Sequence, residues 1–231
     1  MSKADLEARA SSYSARKGLL RTNPSLYVSR TRLSIRQIPL FVTDALLRKL
    51  ALHALKAFNA EFKTGSRSGL TPDELAPEPE VEGLDKRESV LGIKSAVKAK
   101  EKNGKVIPPS RISQSKILRT VDRVDALTGL GRSKGYGFLE ATSHADALRV
   151  LRWINANSDV GFLLKSWQAD DLKSAIKKIQ RRKEPNKEDE ERIERLQAKI
   201  DELEAGTQNH QLEEDHDTRM ARTLIVEFSI E

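Results

Sequence analysis

The sequence predicts an α+β fold, one four-stranded antiparallel sheet covered by helices on one face, and three observations predict it. Alternation of apolar and polar residues, the period of a strand with one buried face, recurs in RLSIRQI (Arg32–Ile38), KGYGFLEA (Lys134–Ala141) and RTLIVEFSI (Arg222–Ile230). Apolar residues at helical spacing follow the first of these at Leu47, Leu50, Ala51, Ala54, Leu55 and Phe58, and the second at Ala147, Val150, Leu151 and Ile154. Each helix therefore has one face to bury against a sheet. A further extended segment, ISQSKILRTVDRV (Ile112–Val124), precedes KGYGFLEA across the turn-like DALTGLGRS, which completes the order βαββαβ.

The chain begins with a polar, basic lead-in segment, residues 1–31, holding a short helix around Leu6 to Leu20 that TNPS ends. The first strand stops at Pro39, and Thr43 then caps the first sheet-covering helix, which fades near Phe62. Residues 63–111, rich in Pro, Gly and charge, are expected to form a long, mostly disordered or extended insertion. Within it a short helix is expected around Ser89 to Lys100, whose lysines, with Lys102 and Lys105, either touch a polyanion or belong to a solvated linker. After the hairpin, Ser143 and Asp146 form a capping box for the second covering helix.

Residues 161–221 are a second long insertion, helical and folded as a hairpin. Leu172, Ile176 and Ile179 mark a stripe on its first helix, and Ile193, Leu196, Ile200 and Leu203 a heptad-like seam on its second. Pro185 and Asn186 break the two, and Gly206 stops the second. The seam is too short to stand alone, so it packs on a neighbour. Residues 32–231 thus read as a single domain with a four-stranded antiparallel sheet, two long insertions and extra helices, in the split βαβ order of ferredoxin-like folds.

Composition narrows the function. With 231 residues, 38% of them hydrophobic and 32% charged, one compact domain with solvated appendages fits best. The net charge of +7 favours a polyanionic partner, nucleic acid first. Without cysteine there is no disulfide and no thiolate zinc site. No stretch is apolar enough to cross a bilayer, since even ALLRKLALHALKAF carries Arg48, Lys49, His53 and Lys56, and no membrane partner is expected. The N-terminal residues lack the apolar core of a secretory signal, and Asp5 and Glu7 argue against a transit peptide.

If the helices cover the small and aliphatic side of KGYGFLEA (Gly135, Gly137, Leu139, Ala141), then Lys134, Tyr136, Phe138 and Glu140 remain on the open side. The two rings can stack on unpaired bases at about 1–3 kcal/mol each, while Lys134 and Arg132 attract phosphates. On pattern alone, the same rings read equally well as core aromatics beneath an inserted helix.

KGYGFLEA resembles the RNP octamer of RNA recognition motifs, departing from it only at Ala141, and LSIRQI resembles the partner hexamer, with Ser34 where a stacking aromatic is usual and Gln37 where Asn is. The second helix and TLIVEFS are similar to the second helix and fourth strand of that family. A narrower resemblance, carried by NPSLYVSRTRLSIRQIP, GYGFLEATSHADALRVLRWINAN and RTLIVEFSIE, is to the last RNA recognition motif of nucleolar multi-motif assembly factors of the large ribosomal subunit. It implies a nuclear, nucleolar protein that binds precursor ribosomal RNA in early large-subunit particles, beside other assembly factors and ribosomal proteins. It also implies stacking by Tyr136 and Phe138, and phosphate or base contacts from Lys134 and Arg36. Lys116 and Arg119 on the neighbouring strand are weaker candidates, and Ser34 can at most hydrogen bond. The long insertion before the last strand departs from the short link of the family.

Enzymatic signals are weak. Gly129, Gly131 and Gly135 miss the dinucleotide spacing, and no Gly-Lys-Ser/Thr follows them. His210, Glu213, Glu214, Asp215, His216 and Asp217 could bind a metal weakly, but their segment reads as an acidic linker, and no metal is expected there. The sequence thus predicts no catalytic residue, metal or cofactor. Two readings are carried forward: a non-catalytic RNA-binding module, and a protein-interaction scaffold whose sheet face or inserted helices dock on other assembly factors.

Overall fold

The structure, a computed structural model, describes residues 3–75, 101–102, 105–106, 110–124, 131–155, 157–181, 187–212 and 223–231. Its centre is strand β1 (Val28–Arg36), hydrogen-bonded on one side to β5 (Gly131–Ala141) and on the other to β6 (Ile225–Ile230). Strand β4 (Ile112–Val124) pairs with the far side of β5, so the antiparallel sheet runs β4-β5-β1-β6. Residues 101–102 and 105–106 form a separate two-stranded ladder, β2 and β3.

One face of the sheet is built as the alternation demands. Leu33, Ile35, Ile117, Leu139, Ala141 and Val226 point together into the core. Helix α2 (Asp44–Lys63) covers them with Leu47, Leu50, Ala54 and Phe58. Helix α4 (His144–Ile154) adds Ala147, Val150 and Ile154. Thr43 and Ser143 cap the two helices as expected, each side chain accepting the backbone N–H three residues on. Asp146 does not close a reciprocal box; its carboxylate binds Arg111 and Arg149 instead.

Both edges of the sheet are blunted by side chains. On β4, Asp44 accepts the Ile117 N–H at 2.8 Å, and Arg48 donates to the carbonyls of Ile112 and Ser113. On β6, the Asn155 carboxamide mimics a neighbouring strand, donating to the Val226 carbonyl at 2.8 Å and accepting from its N–H at 3.0 Å. Such blocking stops another chain from extending the sheet at these positions.

The start of the first insertion is pinned to the domain: helix α3 (Pro72–Leu75) carries Glu74, which pairs with Arg152, and Arg67 pairs with Glu61 of α2. The helix expected over Ser89 to Lys100 lies outside the described residues. In the second insertion, helix α5 (Asp159–Gln180) begins earlier than the stripe at Leu172 suggested. Its first half joins the main core through Val160 and Leu164. Trp167 meets His53 of α2 edge to face, with ring centroids 5.3 Å apart. Its second half leaves that core and pairs with helix α6 (Lys187–Leu212) along Ile176, Ile179, Leu196 and Ile200. The helical hairpin is present, but α6 continues through Gly206. A glycine costs a helix only about 1 kcal/mol.

The N-terminal segment differs most from expectation. Instead of a lead-in with a short helix, residues Lys3–Thr22 form one helix, α1, and β1 starts at Val28 rather than near Arg32. Helix α1 lies on the sheet face opposite α2 and α4.

Candidate nucleic-acid interface

The polar face of the sheet is built from the alternate residues of its strands. Across β4, β5, β1 and β6 the register sets Lys116 beside Phe138, Phe138 beside Ser34, and Ser34 beside Glu227; one step along, Tyr136 lies beside Arg36. The two glycines among the aromatics have separate reasons. Gly135 has φ +76°, a conformation that disfavours side chains, and its carbonyl accepts the Ile38 N–H. A Cβ on Gly137 would lie 2.6 Å from the Lys116 carbonyl oxygen, so only glycine lets β4 approach this closely.

Helix α1 covers the β6 side of this face, which the alternation had left open. Arg9 donates to Asn155 Oδ1, Thr223 Oγ1 and the Leu224 carbonyl. Ser12 donates to Glu227 Oε2 at 2.7 Å, and Arg16 lies 3.8 Å from the same oxygen. Beneath it Ile225 and Ser229 are buried. The seam Asp5, Arg9, Ser12, Arg16 follows the helical period but is polar throughout.

On the uncovered side, Phe138 separates two hollows. The larger, about 530 Å³, lies between α1 and β5 and is lined by Arg16, Leu19, Arg36, Lys134, Tyr136 and Phe138, among others. The smaller, about 150 Å³, is lined by Arg32, Gln114, Lys116, Phe138 and Glu140. Tyr136 is 37% exposed. Phe138 is half-buried, with the Arg32 guanidinium 4.8 Å from its ring centroid, a cation–π contact.

The structure therefore brings Tyr136, Phe138, Lys134, Arg36, Lys116 and Ser34 to one surface. Ser34 is partly used, donating from its hydroxyl to the Glu227 carbonyl at 3.3 Å. Arg132 is exposed at the start of β5 and lines neither hollow. Arg119 is not part of the group: its guanidinium donates to the carbonyls of Gly131 and Val42, strapping the strand end to the loop before α2. Residue 119 has the parity of Ile117, a core residue, so period two alone separates it from Lys116. Sequence reasoning missed Arg16, Arg32 and Gln114. Arg32 and Gln114 could have been found from parity with Ser34 and Lys116; Arg16 could not, because its place depends on how α1 docks.

Among the described residues no group of His, Asp and Glu is arranged to hold a metal ion, and the side chains of His210 to Asp217 lie outside them. No described helix is long and apolar enough to cross a membrane. Neither a protein-family model nor a solved structure matches the chain.

Proposed function

We infer that the chain is a non-catalytic RNA-binding module with a ferredoxin-like RNA recognition motif, and that it reads single-stranded or looped RNA on the β5 side of its sheet. The single observation that carries this is the placement of Tyr136 and Phe138 on the face away from the apolar core, among Arg36, Lys134 and Lys116. Rings on an open sheet face, Tyr136 exposed and Phe138 half-buried, can stack on any base, and the surrounding cations attract phosphate without fixing a sequence. The sheet order β4-β5-β1-β6 with α2 and α4 on one face also suits this reading. The resemblance of KGYGFLEA and its neighbours to nucleolar assembly factors extends it to precursor ribosomal RNA in early large-subunit particles, in the company of other assembly factors and ribosomal proteins.

A second reading is favoured by the arm of α5 and α6, whose seam of Ile176, Ile179, Leu196 and Ile200 forms an apolar cluster apart from the main core. In that reading the chain is a scaffold that reaches another protein through the arm.

RNA affinity separates them. The double variant Tyr136→Ala/Phe138→Ala should weaken binding of a short single-stranded RNA by about thirtyfold or more, since each stacking contact contributes about 1–3 kcal/mol. Unchanged affinity, together with loss of particle incorporation on removing residues 170–212, would sink the sheet-reading proposal in favour of the scaffold.

A further inference from the structure

We propose that helix α1 is the second wall of the RNA site, and that the space between α1 and β5 takes one nucleotide of a single strand, with Arg16 as a phosphate contact. This rests on the RNA-binding reading above and adds to it an element outside the sheet. The space, about 530 Å³, falls within the range of small-ligand sites, about 300–1,000 Å³, and is roomy enough to admit a nucleotide. Its apolar part includes Leu19, Ile230, Tyr136 and Phe138, and its charged part is Arg16, Arg36 and Lys134. No carboxylate lines it. An aromatic floor with three cations and no anion is the chemistry of a base carrying a phosphate, rather than of a peptide or an apolar ligand.

Arg16 is held in reserve at this wall. Its side chain is 15% exposed, and its nearest anion, Glu227, is 3.8 Å away, beyond ordinary hydrogen-bond length. Glu227 is already engaged at 2.7 Å by Ser12. An arriving phosphate therefore competes for Arg16 against a carboxylate whose closer partner is another residue, and Ser12 continues to satisfy Glu227 when Arg16 turns into the cleft. Arg9, which anchors the helix to Asn155, Thr223 and Leu224, has no part in this exchange and keeps α1 in place.

The two charges give opposite expectations. Binding of an eight-nucleotide oligouridylate to the full chain should weaken about tenfold in Arg16→Ala, the effect of one lost charged contact. It should tighten about threefold in Glu227→Gln, which releases Arg16 while keeping an acceptor for Ser12. A merely structural role for the pair predicts weakening in both, and that result overturns the proposal. So does unchanged or tighter binding after removal of residues 1–22, which would make α1 a cover rather than a wall. Uridine 5′-monophosphate is the competing probe: displacement of the oligonucleotide at equal concentration overturns a strand as the occupant, and its retention supports one. The two levels fail differently. If the full chain does not bind the oligonucleotide, or binds it without regard to Tyr136 and Phe138, the RNA-binding reading itself falls; if binding depends on those rings but ignores Arg16 and Glu227, only the wall does.

Discussion

Both faces of the sheet carry helix, one across its width and the other only on its β6 side, and they do so by opposite chemistry. Helices α2 and α4 reach theirs with Leu47, Leu50, Val150 and Ile154, whereas the buried positions of α1 are Asp5 and Ser12. The apolar interface is held by area removed from water, about 25 cal/mol per Å², and is not weakened by ionic screening. The polar one is a set of hydrogen bonds, each worth about 0.5–1.5 kcal/mol net, that depend on charge and geometry. The first face specifies the fold; the second is matched to its neighbours group by group, so single charges can be exchanged there without collapse.

The sharpest way to break the comparison is to truncate on each side. Leu50→Ala, at a site with no exposure, should cost about 2–5 kcal/mol. At about 2–4 °C of melting temperature per kcal/mol for a chain of this size, the thermal midpoint should fall several degrees. Ser12→Ala removes one hydrogen bond, about 0.5–1.5 kcal/mol, and should lower the midpoint by about 1–6 °C while accelerating amide exchange across α1 alone. Equal losses from the two variants would show that α1 is as integral to the fold as α2.

Asn155 is the intermediate case, because it serves both layers. It blocks the β6 edge at Val226 and receives Arg9 from α1. Asn155→Ala leaves the Val226 N–H and carbonyl without their partner, at a cost of about 1–3 kcal/mol, and should also loosen α1. A stability loss with no change in α1 exchange would separate the two roles that the structure joins in one carboxamide.

This contrast also explains what was legible in the sequence. Hydrophobic periodicity reports apolar burial, so Leu33, Ile35, Leu139 and Val226 on the strands and Leu50 and Val150 on the helices disclosed one face of the sheet and its helices. The seam Asp5, Arg9, Ser12, Arg16 has the same helical spacing but no apolar residue, and a search for apolar stripes passes over it. The only hint lay at the other end of the chain, where Glu227 interrupts an apolar strand and needs a partner. The first half of α5 had a readable stripe, Val160, Leu164 and Trp167 at i, i+4 and i+7, but it follows α4 so closely that the insertion's helix looked as if it began at Leu172. In the candidate site, parity put Tyr136 and Phe138 on one side of β5 but left open which side faces the core, and the same parity sets Arg119 with Ile117, which the family match on the neighbouring strand passed over.

The smallest expected effect lies at the periphery of the apolar layer, where Glu61 joins α2 to α4 and to the segment after α2. Its carboxylate accepts from Trp153 Nε1 at 2.7 Å and from Arg67. Burial pushes its pKa up, but the hydrogen bonds from Arg67 and Trp153 and the Arg67 charge outweigh that and hold it below the usual 4.5. A carboxyl whose folded pKa is depressed contributes stability above its unfolded pKa, and the contribution is lost as pH falls through the folded value. With the Glu61 side chain 35% exposed, solvent screening limits the gain to a fraction of about 1 kcal/mol. Thermal melts of the native chain and Glu61→Gln, which keeps an acceptor for Trp153 but removes the charge, should therefore differ by about 1–3 °C at pH 7 and converge as the pH is lowered below 4.5. A gap that stays constant across that range would mean that the staple works through shape and neutral hydrogen bonding, and that charge matters to this protein only on the face where α1 lies.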